Sequence, residues 1–149
     1  MNFLGHRIHP RLVVFPIGLL LTAVAFDVVH TLQDGEETWA RISYWLIASG
    51  VIGGALAALF GLIDWSRIPS GTRAKAVGQM HAIVNTVALA LFGASWLVRY
   101  FDEPESPTTV AKALAYAGGG VLAQRDDLSV TFVEPTSSSA AEELASLPG

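Results

Sequence analysis

The sequence predicts an all-α protein, an integral membrane helical bundle with three full transmembrane helices and a short fourth element. Hydrophobic residues make up 52% of the 149 residues and charged residues only 15%, whereas soluble domains contain about 25% charged residues. Three apolar runs are each long enough to cross a hydrocarbon core, which needs about 20 residues. Acidic turns and a basic loop separate these runs. The low charge content and the three long apolar runs together predict that the helices lie in a lipid bilayer.

The net charge and the cysteine count exclude several functions. The formal net charge of -4 argues against a nucleic-acid partner, which would need a basic patch. The chain has no cysteine, so it forms no disulfide, no thiolate metal site and no iron–sulfur cluster.

The first span is predicted at about 10–31. Pro10 suits the first turn of a helix, and Pro16 is expected to kink that helix because it removes one backbone hydrogen bond. His9 and Asp27 are 18 residues apart, so they share one face of the helix at a separation of about 27 Å. Apolar residues continue past Asp27, so we expect this span to be retained rather than cleaved as a signal peptide.

The second span, at about 42–64, is rich in small residues. Two series recur at every fourth position: Gly50, Gly54 and Ala58, and Gly53, Ala57 and Gly61. Such faces allow helix backbones to approach closely in lipid. We therefore expect Gly50, Gly53, Gly54 and Gly61 to be helix-packing residues, with one face inside the bundle and the other available to a foreign helix.

A basic loop is expected over 67–79, followed by the third span at about 80–100. The fourth element, at about 108–124, contains Lys112 and a glycine triplet at 118–120. It is too short to cross the bilayer, so a half-inserted element is the better interpretation. Residues 1–130 form the predicted transmembrane domain, and residues 131–149 form a polar, low-complexity tail with no core of its own.

The distribution of basic residues predicts the orientation of the bundle. Arginine and lysine are concentrated before the first span and in the second loop, which places the N-terminus in the cytoplasm. Trp45 and Trp96 then fall near the outer boundary and Trp65 near the inner one, as expected for interfacial aromatic residues. The expected location is the inner membrane of a bacterium.

This topology brings His9, Asp64 and His81 to one level, with Asn85 one turn deeper on the face of His81. Two imidazoles from different helices can bind a haem iron axially, which makes His9, His81 and Asn85 candidate cofactor-binding residues. The structural alternative is favoured, because no metal-ligand spacing such as HExxH is present. In that interpretation His9 caps a helix or lies among lipid head groups. Asp64 pairs with Arg67 or Arg73, or accepts a hydrogen bond from His81.

A second cluster of polar residues is expected at the opposite boundary and contains Asp27, His30, Arg41 and Arg99. A carboxylate so close to hydrocarbon normally needs a partner, so Asp27 is expected to pair with Arg41 or Arg99 and to tie helix ends together. We assign a structural role to Asp27, Arg41, Asp64 and Arg99. Transport is disfavoured, because the three spans show no internal repeat and no pair of broken helices.

Several motifs in order resemble a group of small prokaryotic membrane proteins known as domain of unknown function 2231. They are HPRLVVFPIGLL, AALFGLIDW, IPSGTRAKA, HAIVN and SWLVR, and the resemblance covers roughly residues 8–130. It implies a four-helix bundle in a membrane and, for some members, a b-type haem. No activity is established for the group, so the resemblance implies a fold and a location but no reaction.

This chain departs from the pattern of that group in two places. Val14 stands where the group has a histidine before Phe-Pro, and the stretch 119–127 lacks the tyrosine and histidine of the group's last motif. If those residues build a cofactor or proton site in the group, that site is degraded here.

The favoured function is a small, non-catalytic accessory or structural subunit of a larger bioenergetic membrane complex, respiratory or photosynthetic. Other membrane-protein subunits are therefore expected partners, and Leu144 and Leu147 are the only sizeable apolar anchors in residues 134–149. The alternative is a b-type haem electron-transfer protein with His9 and His81 as axial ligands. No catalytic residue is predicted.

Overall fold

The computed structural model describes the backbone of residues 2–3, 6–7 and 9–133 and the side chains of residues 13–124. It contains four helices: α1 (His9–Leu32), α2 (Glu37–Ser66), α3 (Arg73–Phe101) and α4 (Thr109–Val133). Two short strands, β1 (Asn2–Phe3) and β2 (His6–Arg7), pair antiparallel before α1. The predicted all-α class is confirmed. The predicted tail anchors Leu144 and Leu147 lie outside the described residues.

Three helices are long and apolar enough to cross a membrane, and they correspond to the three predicted spans. No more than 28% of the residues in the apolar window of each helix are buried within the bundle. Large apolar side chains such as Val14, Ile52 and Leu59 are more than half exposed. Lipid is the solvent that accommodates so much outward-facing apolar surface, because a soluble protein exposes far smaller continuous apolar patches.

Helix α4 extends further than the predicted fourth element, because it continues to Val133 and has 25 residues. No glycine or proline interrupts residues 121–133, so the local sequence permits helix to continue beyond the apolar part. The change from apolar to polar residues near 124 therefore does not mark the end of the helix.

Helix α3 begins at Arg73, so the second half of the predicted basic loop is helical. The hydroxyl oxygen of Thr72 accepts a hydrogen bond from the backbone N–H of Lys75 at 3.2 Å, which satisfies one of the free donors at the start of a helix. Gly71, with φ of 81°, provides the left-handed turn just before this cap.

Trp65 and Lys75 hold the connection between α2 and α3. The indole N–H of Trp65 donates to the carbonyl oxygen of Lys75 at 3.1 Å, and the Lys75 ammonium donates to the carbonyl oxygen of Trp65 at 2.8 Å. The same ammonium lies 3.5 Å from the centre of the Trp65 ring, a cation–π contact. These reciprocal contacts fix the angle at which α3 leaves α2.

The bundle consists of two helical hairpins, because α1 packs most extensively against α2 and α3 against α4. A single apolar core joins the hairpins and receives residues from all four helices: Leu20, Ala23, Ile47, Ala88, Phe92, Ala115 and Leu122. Alanines and glycines on one helix face larger side chains on the next, so the backbones approach closely at each crossing.

Candidate functional site

A buried ion pair joins the two hairpins at the end of the bundle where α1 and α3 finish. The guanidinium of Arg99 donates two hydrogen bonds to the carboxylate of Asp27, at 2.9 Å to Oδ1 and 2.5 Å to Oδ2. Both side chains are completely buried. The bidentate geometry suits a planar guanidinium, and it neutralises each charge in a region from which water is excluded.

Two serines complete this buried cluster, which we call the polar clamp (Asp27, Ser43, Ser95 and Arg99). Arg99 lies 3.4 Å from the hydroxyls of both Ser43, on α2, and Ser95, on its own helix. Ser43 donates to the carbonyl oxygen of Ala23 at 3.1 Å, and Ser95 donates to that of Ala111 at 2.6 Å. The polar clamp therefore contacts all four helices, and its charged and hydroxyl groups are satisfied internally.

Lys112 extends this polar region toward the end of the bundle. Its ammonium lies 3.4 Å from Nδ1 of His30 and donates to the hydroxyl of Thr31 at 3.2 Å. Thr31 in turn donates to the carbonyl oxygen of Asp27 at 2.9 Å. Lys112 of α4 is thus held by polar groups of α1.

The sequence offers Arg41 and Arg99 as possible partners for Asp27. In the structure the partner of Asp27 is Arg99. Arg41 forms an ion pair with Glu105 instead, and the two side chains are 59% and 42% exposed. This second pair lies at the surface, where such contacts contribute little to stability. The two arginines predicted for one cluster therefore have different environments.

Ser43 and Ser95 were absent from the predicted cluster, although the sequence contains a signal for Ser95. Ala88, Phe92, Ser95 and Arg99 follow the spacing of four, three and four that marks one buried face of a helix. A serine and an arginine on an otherwise apolar face require partners inside the bundle.

The opposite half of the bundle contains a cavity of about 300 Å³. Its walls are formed by the start of α1, the end of α2 and the start of α3, with Leu122 contributed by α4. Most of the lining is apolar, and the polar side chains are confined to α2 and α3: Asp64, His81, Asn85 and Thr86. We call these four residues the polar end of the cavity.

Three members of the predicted inner cluster, Asp64, His81 and Asn85, therefore line one cavity. Asn85 donates from Nδ2 to the backbone carbonyl oxygen of His81 at 2.7 Å. His9 is the first residue of α1, but its side chain lies outside the described residues. Among the described residues, no group of three or more His, Asp or Glu side chains is placed to hold a metal ion.

The predicted packing glycines all face the interior of the bundle. A Cβ atom added to Gly50 would lie 2.7 Å from Leu20, and one added to Gly53 would lie 3.5 Å from Pro16, both on α1. Gly54 packs in the same way against Leu89 of α3, and Gly61 lines the cavity. Gly50, Gly53 and Gly54 thus lie against side chains of the same chain, and a small-residue face for a foreign helix stays a prediction.

One comparison with known proteins gave a match. A family model described as "Predicted membrane protein (DUF2231)" matches residues 5–124 of the chain. Neither the curated proteins nor the solved structures gave a match.

Proposed function

The chain belongs to the DUF2231 family of predicted membrane proteins, and on that premise we propose that it is a non-catalytic accessory subunit of a larger membrane complex. The observation that carries this proposal is a surface of contacting aromatic rings on α2 and α3, two pairs stacked and two edge-to-face, which we call the aromatic face. It consists of Tyr44, Trp45, Trp96, Tyr100 and Phe101, with neighbouring ring centres 5.3–5.7 Å apart.

Three of these rings are largely exposed although each contacts a neighbouring ring. Trp45 is 63% exposed, Tyr100 57% and Phe101 79%. Aromatic side chains are enriched at protein interfaces, because they bury a large area and lose little conformational entropy. The indole N–H of Trp96 is buried and has no acceptor among the described residues. The aromatic face therefore offers exposed apolar area to a partner helix through Trp45, Tyr100 and Phe101.

The polar clamp also supports a non-catalytic role. Ionisable residues inside a membrane usually mark transport or proton pathways. Here Asp27 and Arg99 neutralise each other, and Arg99 contacts two serines that are bonded to backbone carbonyls. The charges and hydrogen-bonding atoms of Asp27 and Arg99 are used to join helices, so these residues are unsuited to carrying ions.

The proposed location is the inner membrane of a bacterium, with the N-terminus in the cytoplasm. The connection between α2 and α3 supports this orientation, because Arg67 and Arg73 are exposed there. The two connections at the other end contain exposed Glu36, Glu37 and Asp102. The positive-inside rule assigns the basic side to the cytoplasm.

Replacing Trp45 and Phe101 together by alanine is expected to reduce co-purification with the larger complex at least tenfold in mild detergent. The reason is that two exposed aromatic anchors would be lost, and anchors of this kind dominate interface energies. The measurement is quantitative mass spectrometry of the tagged chain purified at native expression levels. Deleting residues 134–149 is expected to weaken the association as well.

The matched control is Leu32→Ala, because Leu32 is 76% exposed on α1 at the same end of the bundle. This control should leave co-purification unchanged. Migration of the wild-type chain alone in native gels would contradict the accessory role.

A b-type haem protein is the second proposal, and one observation favours it. His81 lines the cavity together with Val13 and Pro16, which follow His9 on α1 by four and seven residues. Haem iron bound between His9 and His81 would need both imidazole nitrogens at about 2.1 Å. When bound, the haem would supply one-electron transfer, and the two histidines would hold the iron.

Expression with added haem is expected to give a Soret absorbance band if this second proposal is correct. The band should disappear in His81→Ala and persist in His30→Gln, because His30 lies in the other half of the bundle beside Lys112. Purified wild-type chain without Soret absorbance eliminates the haem proposal.

A further inference from the structure

The cavity lies in the half of the bundle that the polar clamp does not hold, and its length matches one leaflet of a bilayer. Gly54 and Trp65, which are 11 residues apart, mark the two ends of its lining on α2, about 16 Å along the helix axis. The hydrocarbon core of a bilayer is about 30 Å thick, so this length corresponds to the depth of a single leaflet. The volume of about 300 Å³ is at the lower end of the range for small-molecule sites, which leaves room for one acyl chain rather than for a whole lipid.

The walls of the cavity are mostly apolar and open toward the surrounding lipid. Ala58 and Leu62 on α2 and Thr86 on α3 line the cavity and are also exposed. The hydroxyl of Thr86 donates to the carbonyl oxygen of Ala82 at 2.7 Å, which satisfies this hydroxyl within α3. The hydrocarbon core contains no water, so an opening at this depth admits acyl chains from the bilayer.

Two exposed arginines lie at the end of the cavity where α2 is connected to α3. Arg67 lies in the chain between Trp65 and Ile68, which both line the cavity, and Arg73 is the first residue of α3. Neither arginine forms an ion pair with a carboxylate of the described residues, and the sequence contains no Asp or Glu in residues 65–101. Guanidinium groups bind phosphate with two parallel hydrogen bonds, so a phosphate is the group that complements this end of the cavity.

Contacts between α2 and α3 hold this end of the cavity in place. Trp65 lines the cavity, and its backbone carbonyl and its ring both contact the ammonium of Lys75. A Cβ atom added to Gly78 would lie 2.8 Å from a ring carbon of Trp65, so α3 packs closely against this indole. Asp64 also lines the cavity and has an interaction within the chain, and we assign it no part in binding. The contacts of Trp65 fix the start of α3, and with it Arg73, beside the cavity.

From these observations we propose that the cavity and the two arginines form a binding site for one anionic phospholipid, such as phosphatidylglycerol. One acyl chain occupies the cavity, the second chain lies in the surrounding bilayer, and the phosphate contacts Arg67 and Arg73. Phosphatidylcholine carries its own cation beside the phosphate, so two arginines favour a head group whose net charge is negative. Binding at this site depends neither on the accessory role nor on which side of the membrane the connection faces.

The test is native mass spectrometry of the full chain, which is delipidated in mild detergent and then titrated with phosphatidylglycerol or with phosphatidylcholine of the same acyl chains. One phosphatidylglycerol molecule is expected to bind saturably and about tenfold or more tightly than phosphatidylcholine. Arg67→Gln combined with Arg73→Gln should abolish this preference, because each basic residue near an anionic lipid contributes about fivefold. The matched control is Arg41→Gln, which removes an exposed arginine near the start of α2 and should keep the preference.

Two further variants test whether an acyl chain occupies the cavity. Ala58→Phe and Ala82→Leu add bulk to the lining from α2 and from α3, and each should weaken the binding of both lipids by about tenfold or more. Their matched controls are Ala55→Phe and Ala90→Leu, because both of these alanines are exposed on the same helices but lie outside the lining. Helical circular dichroism identifies the folded variants, and one folded member of the first pair is sufficient for the comparison.

Four results would overturn the proposal. The first is equal binding of the two lipids by the wild type, which would mean that no anionic head group is recognised. The second is unchanged binding in folded Ala58→Phe and Ala82→Leu, which would place the acyl chain outside the cavity. The third is competition by glycerol phosphate, which would mean a site for free phosphate. The fourth is a stoichiometric Soret band with no bound lipid, which would assign the cavity to haem. None of these results depends on whether the chain co-purifies with a complex.

Discussion

Replacing Arg99 by methionine is expected to lower the free energy of unfolding by about 3–5 kcal/mol, the usual effect of removing one member of a buried ion pair. Asp27 would remain fully buried with no charge to neutralise it. Ser43 and Ser95 would lose their contacts with the guanidinium. The measurement is reversible unfolding in mixed micelles of a mild detergent and dodecyl sulfate, followed by helical circular dichroism.

Arg41→Met is the matched control, since it removes the same type of side chain from the exposed pair with Glu105. It is expected to change the free energy of unfolding by about 0–1 kcal/mol. The double variant Asp27→Leu with Arg99→Met should recover much of the stability, because a buried apolar pair leaves no uncompensated charge. Equal losses in Arg99→Met and Arg41→Met would show that the polar clamp does not hold the hairpins together.

Replacing Gly118 by alanine is expected to destabilise the bundle by about 1–3 kcal/mol, the typical effect of inserting a methyl group into a well-packed core. An added Cβ would lie 2.8 and 2.9 Å from two ring carbons of Phe92 and 3.4 Å from the carbonyl oxygen of Ala88. Phe92 is fully buried, so its ring cannot move aside without displacing the core. The melting temperature in detergent measures this loss.

The control for Gly118 is in the same glycine triplet. Gly120 is exposed and has no heavy atom within 4 Å of an added Cβ, so Gly120→Ala should stabilise α4 by up to about 1 kcal/mol through helix propensity. The two substitutions are therefore expected to shift the melting temperature in opposite directions. A triplet that served only flexibility would give two stabilising shifts.

The membrane class and the three spans were predictable from sequence because lipid imposes a strong and local requirement. A span needs about 20 apolar residues whatever the neighbouring helices do, and such runs are visible in the chain. The ends of the helices were harder to predict. Residues 37–41 and 73–79 each contain two charged residues yet are helical, because a helix that leaves the hydrocarbon core can continue in water or among head groups.

The partner of Asp27 could not be predicted from sequence. Arg41 and Arg99 both belong to the same end of the bundle, and only the rotation of each helix decides which one faces inward. Packing sets that rotation, since Ile47 and Phe92 are fully buried and direct α2 and α3 toward the core. The same rotation places Ser43 inside and Arg41 outside, although they are two residues apart.

The roles of the glycines were predictable only in part. Their spacing predicts close helix packing, because small residues at every fourth position share one face. The spacing does not reveal which neighbour each residue meets. In one series Gly50 lies against Leu20 of α1 and Gly54 against Leu89 of α3, so successive members of one face meet different helices.

The ribosome completes the α1–α2 hairpin before it makes α3 or α4. Arg99 follows Asp27 by 72 residues, and translation at about 5–20 residues per second separates their synthesis by about 4–14 s. Until Arg99 arrives, the first hairpin carries an acidic group whose permanent partner does not yet exist. Membrane insertion of the second hairpin therefore brings in Arg99, which neutralises the carboxylate of Asp27 and joins the two hairpins. A nascent chain that stalls between the hairpins would retain Asp27 without its arginine partner.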